Sequence, residues 1–353
     1  SPTGLSFSFR LFHEIVMFSR YLAPSLLALS VSFSAQAAEQ ALEIGYLPIM
    51  PAAQLFVSLG SGDLLPEGQA EPKLVQFQSG PALTQALIAG QLDVAYVGIG
   101  PALVAKAKEA DVKVVASNIV EQVSVVAIGD LAAYLDADKP DFAAAVAKFT
   151  QEKGHKPKVA SYPKGAVPEA ALQYWLRNML KVDPNALEVI YQGEAQIQQA
   201  LSNHAVDAAA ILEPTVSQIL QRQPDAKIVA HGGELFPNEP GSVLLVREGL
   251  IKSNPDLVQH LMNAHLRATA MLRDEPAKAT PYVQKYVGGG RLPKDIVQAA
   301  IERSRDQFQP DPRKIIDGTV QLQDFQVSLG TLATKLEDVD SLFDIRFYEK
   351  AAP

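Results

Sequence analysis

The 353-residue chain contains no cysteine, one tryptophan and six histidines. The missing thiol excludes disulfide scaffolds, thiol nucleophiles, zinc–thiolate sites and a lipid-modified N-terminal cysteine. Basic charge is also short. Lys and Arg number 31 against 39 Asp and Glu, a net charge of −8, which excludes the cationic footprint a nucleic-acid binder needs. Beyond residue 37 no apolar run approaches the about 20 residues that cross a bilayer. GxSxG, HExxH, GxxxxGK followed by Ser or Thr, and calcium-binding EF-hand loops are all missing. His260 and His265 stand five apart, about 140° around a helix, and cannot grip one metal ion. No metal and no cofactor is expected. What is present is a 48% hydrophobic, 20% charged chain, long enough for two well-packed domains.

Residues 17–37, MFSRYLAPSLLALSVSFSAQA, have the form of an export signal. Arg20 supplies the positive end, Tyr21 to Phe33 an apolar stretch too short to span a membrane, and Ala35-Gln36-Ala37 a cleavage site. The expected cut follows Ala37, with residues 1–16 upstream of Met17. A periplasmic location follows from that reading.

Beyond it, short β-branched runs alternate with amphipathic helices. Strands are expected at Leu42–Gly45, Leu74–Phe77, Val94–Val97, Lys113–Ser117 and Ser124–Ile128, with helices opening at Pro51 and after Gly80. This alternation predicts parallel βαβ units with helices on both faces of a sheet. One segment is written twice: VQFQSGPALTQALIAGQLDVA from Val75 and VIYQGEAQIQQALSNHAVDAA from Val189. At an offset of 114 residues Gln78 matches Gln192, Gln85-Ala86-Leu87 matches Gln199-Ala200-Leu201, and Asp93 matches Asp207. The duplication predicts two similar α/β lobes. Glu152 to Lys156 is expected to be a solvated loop, and His155, His204 and His231 to lie exposed in loops. From Gly241 on, after one strand at Ser242–Val246, the chain reads as helical. Asn254-Pro255 starts a helix there and Gly288-Gly289-Gly290 separates two.

The strand-to-helix turns are small, polar and uncharged: Gln78-Ser79-Gly80-Pro81, Gly98-Ile99-Gly100-Pro101 and Gln192-Gly193-Glu194, with Lys164-Gly165 in the second lobe. In an α/β sheet such turns gather at the carboxyl ends of the strands, where ligands bind, and each carries the partial positive charge of a helix N-terminus. No arginine lies in them.

Together with Gly45-Tyr46-Leu47-Pro48, FQSGPALTQALIAGQLDVAYVGIGPALVA (Phe77 to Ala105), VASYPKGAVPEAALQYWL (Val159 to Leu176) and AAAILEPTVSQIL (Ala208 to Leu220), these turns resemble periplasmic solute-binding proteins of ABC importers, in the nitrate/sulfonate/taurine group. The resemblance implies a two-lobed type II periplasmic-binding-protein fold with a ligand cleft between the lobes. On that reading residues 38–121 and 236–353 form lobe 1 and 122–235 an inserted lobe 2, with crossings near Ile119–Val123 and His231–Pro240. It implies a monomer that carries a small anionic or zwitterionic molecule to an inner-membrane permease and its ATPase, without catalysis and without nucleic acid. The expected ligand contacts are Leu47, Met50, Gln78, Ser79, Gly80, Gly98, Ile99, Asn118, Lys164, Gly165, Gln192, Glu194 and Glu213. Among them Leu47 and Met50, with Ile49, form an apolar wall. Gln78, Ser79, Lys164 and Gln192 are donors, and Glu194 and Glu213 suit an ammonium group. A sulfonate-like ligand is favoured; nitrate, bicarbonate or a pyrimidine, or an exported enzyme on this fold, are the alternatives.

Overall fold

The computed structural model describes residues 40–352, so the expected export signal lies outside the described residues. Two five-stranded sheets carry the chain. The first holds β1 (Glu43–Tyr46), β2 (Lys73–Gln76), β3 (Val94–Gly98), β4 (Val112–Ser117) and, from far along the chain, β10 (Ser242–Arg247), in the order β2-β1-β3-β10-β4. The second holds β5 (Ser124–Ala127), β6 (Lys158–Ser161), β7 (Glu188–Tyr191), β8 (Ala208–Ile211) and β9 (Lys227–His231), in the order β7-β6-β8-β5-β9. The two orders are the same pattern. In each, the fourth position is taken by a strand that has just crossed from the other sheet, and it runs antiparallel to both neighbours. The expected all-parallel sheets are therefore mixed, because each crossing strand enters from the opposite end. The chain crosses between Ser117 and Ser124 and returns between His231 and Ser242.

Helices α1 (Ala53–Gly60), α2 (Gly80–Ile88) and α3 (Ile99–Ala107) follow strands of the first sheet; α4 (Gly129–Ala133), α5 (Phe142–Lys153), α6 (Val167–Tyr174), α7 (Glu194–Ser202) and α8 (Thr215–Arg222) belong to the second. The tail adds α9 (Glu248–Ser253), α10 (Pro255–Asp274), α11 (Pro276–Gln284), α12 (Lys294–Ser304), α13 (Ile316–Leu329) and α14 (Arg346–Ala351). Local chemistry sets the boundaries. The Asn254 side chain accepts from the Leu257 amide at 3.2 Å to cap α10, and Gly154, at φ 76°, ends α5 in the left-handed region. Glu152 and Lys153 thus finish a helix rather than form a loop, though both are exposed as expected. His231 likewise ends a strand, its ring held by Ser124 Oγ at 2.7 Å. His260 and His265 point apart, to the carbonyls of Asp63 and Ser117. Burial lowers the His265 pKa to about 4, keeping the ring neutral.

The duplicated aspartates have matching structural work. Asp93 Oδ2 accepts from the Glu43 amide at 2.9 Å while its own amide donates to the Glu43 carbonyl. Asp207 does the same to Lys158, at 2.8 Å in both directions. Asp93 pins the start of β3 to β1, and Asp207 the start of β8 to β6. Asp93 also pairs with Arg247 on β10 at 2.6 Å. Asp207→Ala should therefore cost about 1 kcal/mol, and Asp93→Ala about 1–3 kcal/mol because it also unpairs Arg247. Urea unfolding reads both, and the reverse order would contradict the assignment.

Candidate functional site

The carboxyl ends of the two sheets face one another, and the turns there meet directly. The Glu194 amide donates to the Gln78 carbonyl (3.1 Å) and the Ala195 amide to Gln78 Oε1 (3.4 Å), so a residue of the first lobe caps the first turn of α7 in the second. The Met50 amide donates to the Glu213 carbonyl at 2.9 Å. From α13, Gln326 Nε2 donates to the Gly165 carbonyl at 3.4 Å. Glycine makes this approach possible. A Cβ at Gly100 would lie 2.8 Å from the Gly165 oxygen, and one at Gly193 would lie 3.2 Å from Gln78 Cβ. A single buried apolar cluster runs through both lobes across this seam.

Behind the seam lies a narrow cavity of about 20 Å³, room for little more than one water molecule. Leu47, Ile49, Gly80 and Gly98 approach it from the first lobe, and Tyr162, Val167 and Leu212 from the second, with Gln122 of the first crossing between them. Its walls are apolar apart from Gln122, Tyr162 and Ser242. Tyr162 (1% exposed) and Gln122 (5% exposed) carry Oη and Oε1 atoms with no hydrogen-bond partner among the described residues. An unmade buried hydrogen bond costs about 1–3 kcal/mol, so these atoms are where a bound molecule gains most.

Of the thirteen expected contacts, the structure brings Leu47, Gly80 and Gly98 to this cavity. The others are placed elsewhere, for physical reasons. The Met50 side chain is fully buried in the core behind β1, and Ile99 is likewise a core residue. Ser79 Oγ is the N-cap of α2, accepting from the Ala82 amide at 3.3 Å. Gln78 caps α7 through its carbonyl and Oε1. Asn118 is buried at the first crossing, its Nδ2 on the Pro51 carbonyl at 3.0 Å and its own carbonyl on Gln54 Nε2 at 2.9 Å. Lys164 is exposed over the Tyr191 ring, 5.5 Å away. Gly165, at φ 95°, belongs to the seam. Gln192 Oε1 is buried without a partner among the described residues. Tyr162 and Gln122, which line the cavity, were not among the expected contacts. The only signal for Tyr162 was its place after the second-lobe strand, parallel to Tyr46 in the first, and Gln122 carried none.

The second lobe sets three carboxylates at the beginnings of its helices. Glu194 is buried, accepting from Thr215 Oγ1 at 2.6 Å and Gln198 Nε2 at 3.0 Å, and burial outweighs these bonds to push its pKa up to about 7. Glu169, missed in the sequence, is raised to about 7 by the same cause despite bonds from Ser161 and Tyr191. Glu213, half-buried next to the cis Glu213–Pro214 bond, is raised by burial while Ser217 donates to it through its amide (3.1 Å) and hydroxyl (3.0 Å). Among the described residues no group of three or more His, Asp or Glu side chains could hold a metal ion.

Two outcomes follow. Gly100→Ala should keep the fold but hold the lobes apart, giving a larger radius of gyration in small-angle scattering; an unchanged radius would contradict the seam. For Glu194 the folded pKa lies above the unfolded value, so its contribution is fully present below about pH 4.3 and is lost as pH rises through about 7. Glu194→Gln should thus raise the urea midpoint at about pH 8, with the gain fading towards about pH 4.5. A gain independent of pH would contradict the burial.

Against known proteins, residues 35–285 match the family described as NMT1-like. A protein of Escherichia coli assigned as an aliphatic sulfonates-binding protein is 26% identical over 281 residues, covering 78% of this chain and 80% of the relative. Among solved structures, the alkanesulfonate-binding protein SsuA from Xanthomonas axonopodis pv. citri bound to MOPS superposes with a TM-score of 0.69 at 21% identity, over 88% of this chain and 100% of that one. The periplasmic nitrate-binding protein NrtA from Synechocystis PCC 6803 gives 0.73 at 15% identity, over 89% and 88%. At these identities the structures establish a shared fold, the two-lobed type II architecture. The family match spans well over half of the sequence, and the chain belongs to the NMT1-like family.

Proposed function

We propose that this protein is the solute-binding component of an ABC importer, working in the periplasm and handing a small organic anion or zwitterion to a membrane permease and its ATPase. The carrying observation is the narrow cavity between the lobes: an apolar wall of Leu47, Ile49 and Leu212 around the Tyr162 hydroxyl and Gln122 amide oxygen, both without a partner among the described residues. An apolar wall suits an organic body better than nitrate or bicarbonate, which present oxygens on every side. The relatives named for sulfonates support the same class. In the closed arrangement the cavity is too small for such a molecule, so capture requires the lobes to open along the seam and re-close around it. Release is re-opening, and no bond is made or broken.

A thermal-shift panel of alkanesulfonates, aminosulfonates, nitrate, bicarbonate and pyrimidines tests the class. Saturation at ~100 times Kd adds about 2.7 kcal/mol, a rise of about 4 °C for a chain of this size. The proposal expects an organic anion or zwitterion to give the largest shift. A response to nitrate or pyrimidines alone, or turnover of a bound compound, would overturn it. Tyr162→Phe separates binding from folding. The hydroxyl has no partner among the described residues, so stability should hold or rise, while affinity for the responding solute falls about 5- to 50-fold. Equal affinity would remove Tyr162 from the site.

A further inference from the structure

Glu169, Glu194 and Glu213 each keep hydrogen-bond donors for their buried carboxylates. Glu239 does not. It is fully buried on the returning crossing, and neither of its carboxyl oxygens has a hydrogen-bond partner among the described residues. The two crossings lie side by side there as an antiparallel pair. The Glu121 amide donates to the Glu239 carbonyl at 2.9 Å, the Gly241 amide donates to the Ile119 carbonyl at 3.1 Å, and Val120 stands opposite Pro240. The charge that acts on Glu239 has the wrong sign. It is that of Glu121, whose Oε1 accepts from the Asn238 amide at 3.0 Å. Burial first and the Glu121 charge second raise the Glu239 pKa well above the ordinary carboxylate value, and the nearby Gln122 amide opposes this only in part. His231, which faces Glu121 and Glu234, is itself lowered by burial and supplies no cation.

The cover over this crossing takes part in the closed seam. Helix α13 lies on it: a Cβ at Gly318 would stand 2.5 Å from the Asn238 carbonyl and 3.2 Å from Pro240 Cδ. Further along α13, Gln326 donates to the Gly165 carbonyl, and the Phe325 ring packs edge-on against Tyr174 of α6, 5.1 Å between centroids. Parting the lobes breaks those contacts with the second lobe and loosens α13 where it covers residues 238–240.

We propose that Glu239 is a proton-operated latch on the hinge: the closed lobes hold it as the neutral acid, opening admits water to receive the carboxylate, and closure takes up one proton. A carboxylate sealed in the closed crossing would lose its water with no donor in exchange. The closed form thus has the higher pKa, so its advantage is complete below the open-form value of about 4.3 and is lost as pH rises through the closed-form value. Between the two, the ratio of closed to open molecules falls by up to about 10-fold per pH unit. The latch rests on the opening and closing of the lobes read above and not on which solute they hold.

Pulsed dipolar measurement between spin labels at Gln85→Cys and Gln199→Cys, exposed positions on the two lobes, reads the closed fraction of the full chain without solute. From about pH 5 to about pH 9 the closed-to-open ratio should fall by about 10-fold or more. Glu239→Gln, neutral at every pH, should hold one ratio throughout. Glu121→Gln keeps an acceptor for the Asn238 amide but removes the neighbouring charge, so it should move the midpoint to lower pH; this variant carries the test if Glu239→Gln does not fold. A wild-type ratio independent of pH, a Glu239→Gln protein with the wild-type pH dependence, or an unmoved midpoint in Glu121→Gln would overturn the proposal. If pH has no effect but a solute that calorimetry shows to bind still shortens the distance, the clamshell stands and only the latch falls.

Discussion

Contact between two sets of strand-to-helix turns governs this molecule. At the seam, amide groups of one lobe find carbonyls of the other: Glu194 on Gln78, Met50 on Glu213. Helix ends carry unsatisfied amides that need partners when buried, and here α7 receives one from the opposite lobe. The same bonds can be exchanged for water when the lobes part, so the net gain from each is modest. That modesty suits a clamshell, whose closed form must be stable enough to hold a solute and loose enough to give it up. The glycines serve this seam. Gly100 and Gly193 let backbone approach backbone, and a side chain at either position would meet the other lobe.

The polar character of the interior is uneven. The cavity beside Tyr162 is lined mostly by apolar side chains. Glu169 and Glu194, both pushed up to about 7 by burial, sit at helix beginnings in the second lobe with their bonds made inside that lobe. They hold the turns in place, whereas Tyr162 Oη and Gln122 Oε1, on residues that line the cavity, have no hydrogen-bond partner among the described residues.

Much of the fold was legible because it is periodic and repeated. The echo of Val75 onward in Val189 onward corresponds to equivalent strand–helix–strand units, down to Asp93 and Asp207 pinning equivalent strands. What could not be read was the antiparallel insertion of β10 and β5, since a short apolar run carries no mark of its direction. The site was less legible. Turn residues such as Ser79 and Gln78 look free in sequence, yet one caps its own helix and the other caps a helix 116 positions away, at Glu194. Tyr162 follows a strand in an ordinary way, and only three-dimensional packing shows that its hydroxyl has been left without a partner.

The central claim is that facing turns close on a solute and part to release it. Gln85 on α2 and Gln199 on α7 are both exposed, occupy matching places in the two lobes, and sit in a chain without native cysteine. Spin labels at Gln85→Cys and Gln199→Cys, with their separation measured by pulsed dipolar spectroscopy, report the gap between the lobes directly. Without solute the account predicts a broad distribution reaching long distances, collapsing to one short distance on saturation with a solute that calorimetry shows to bind. A single distance that stays the same before and after saturation would contradict it.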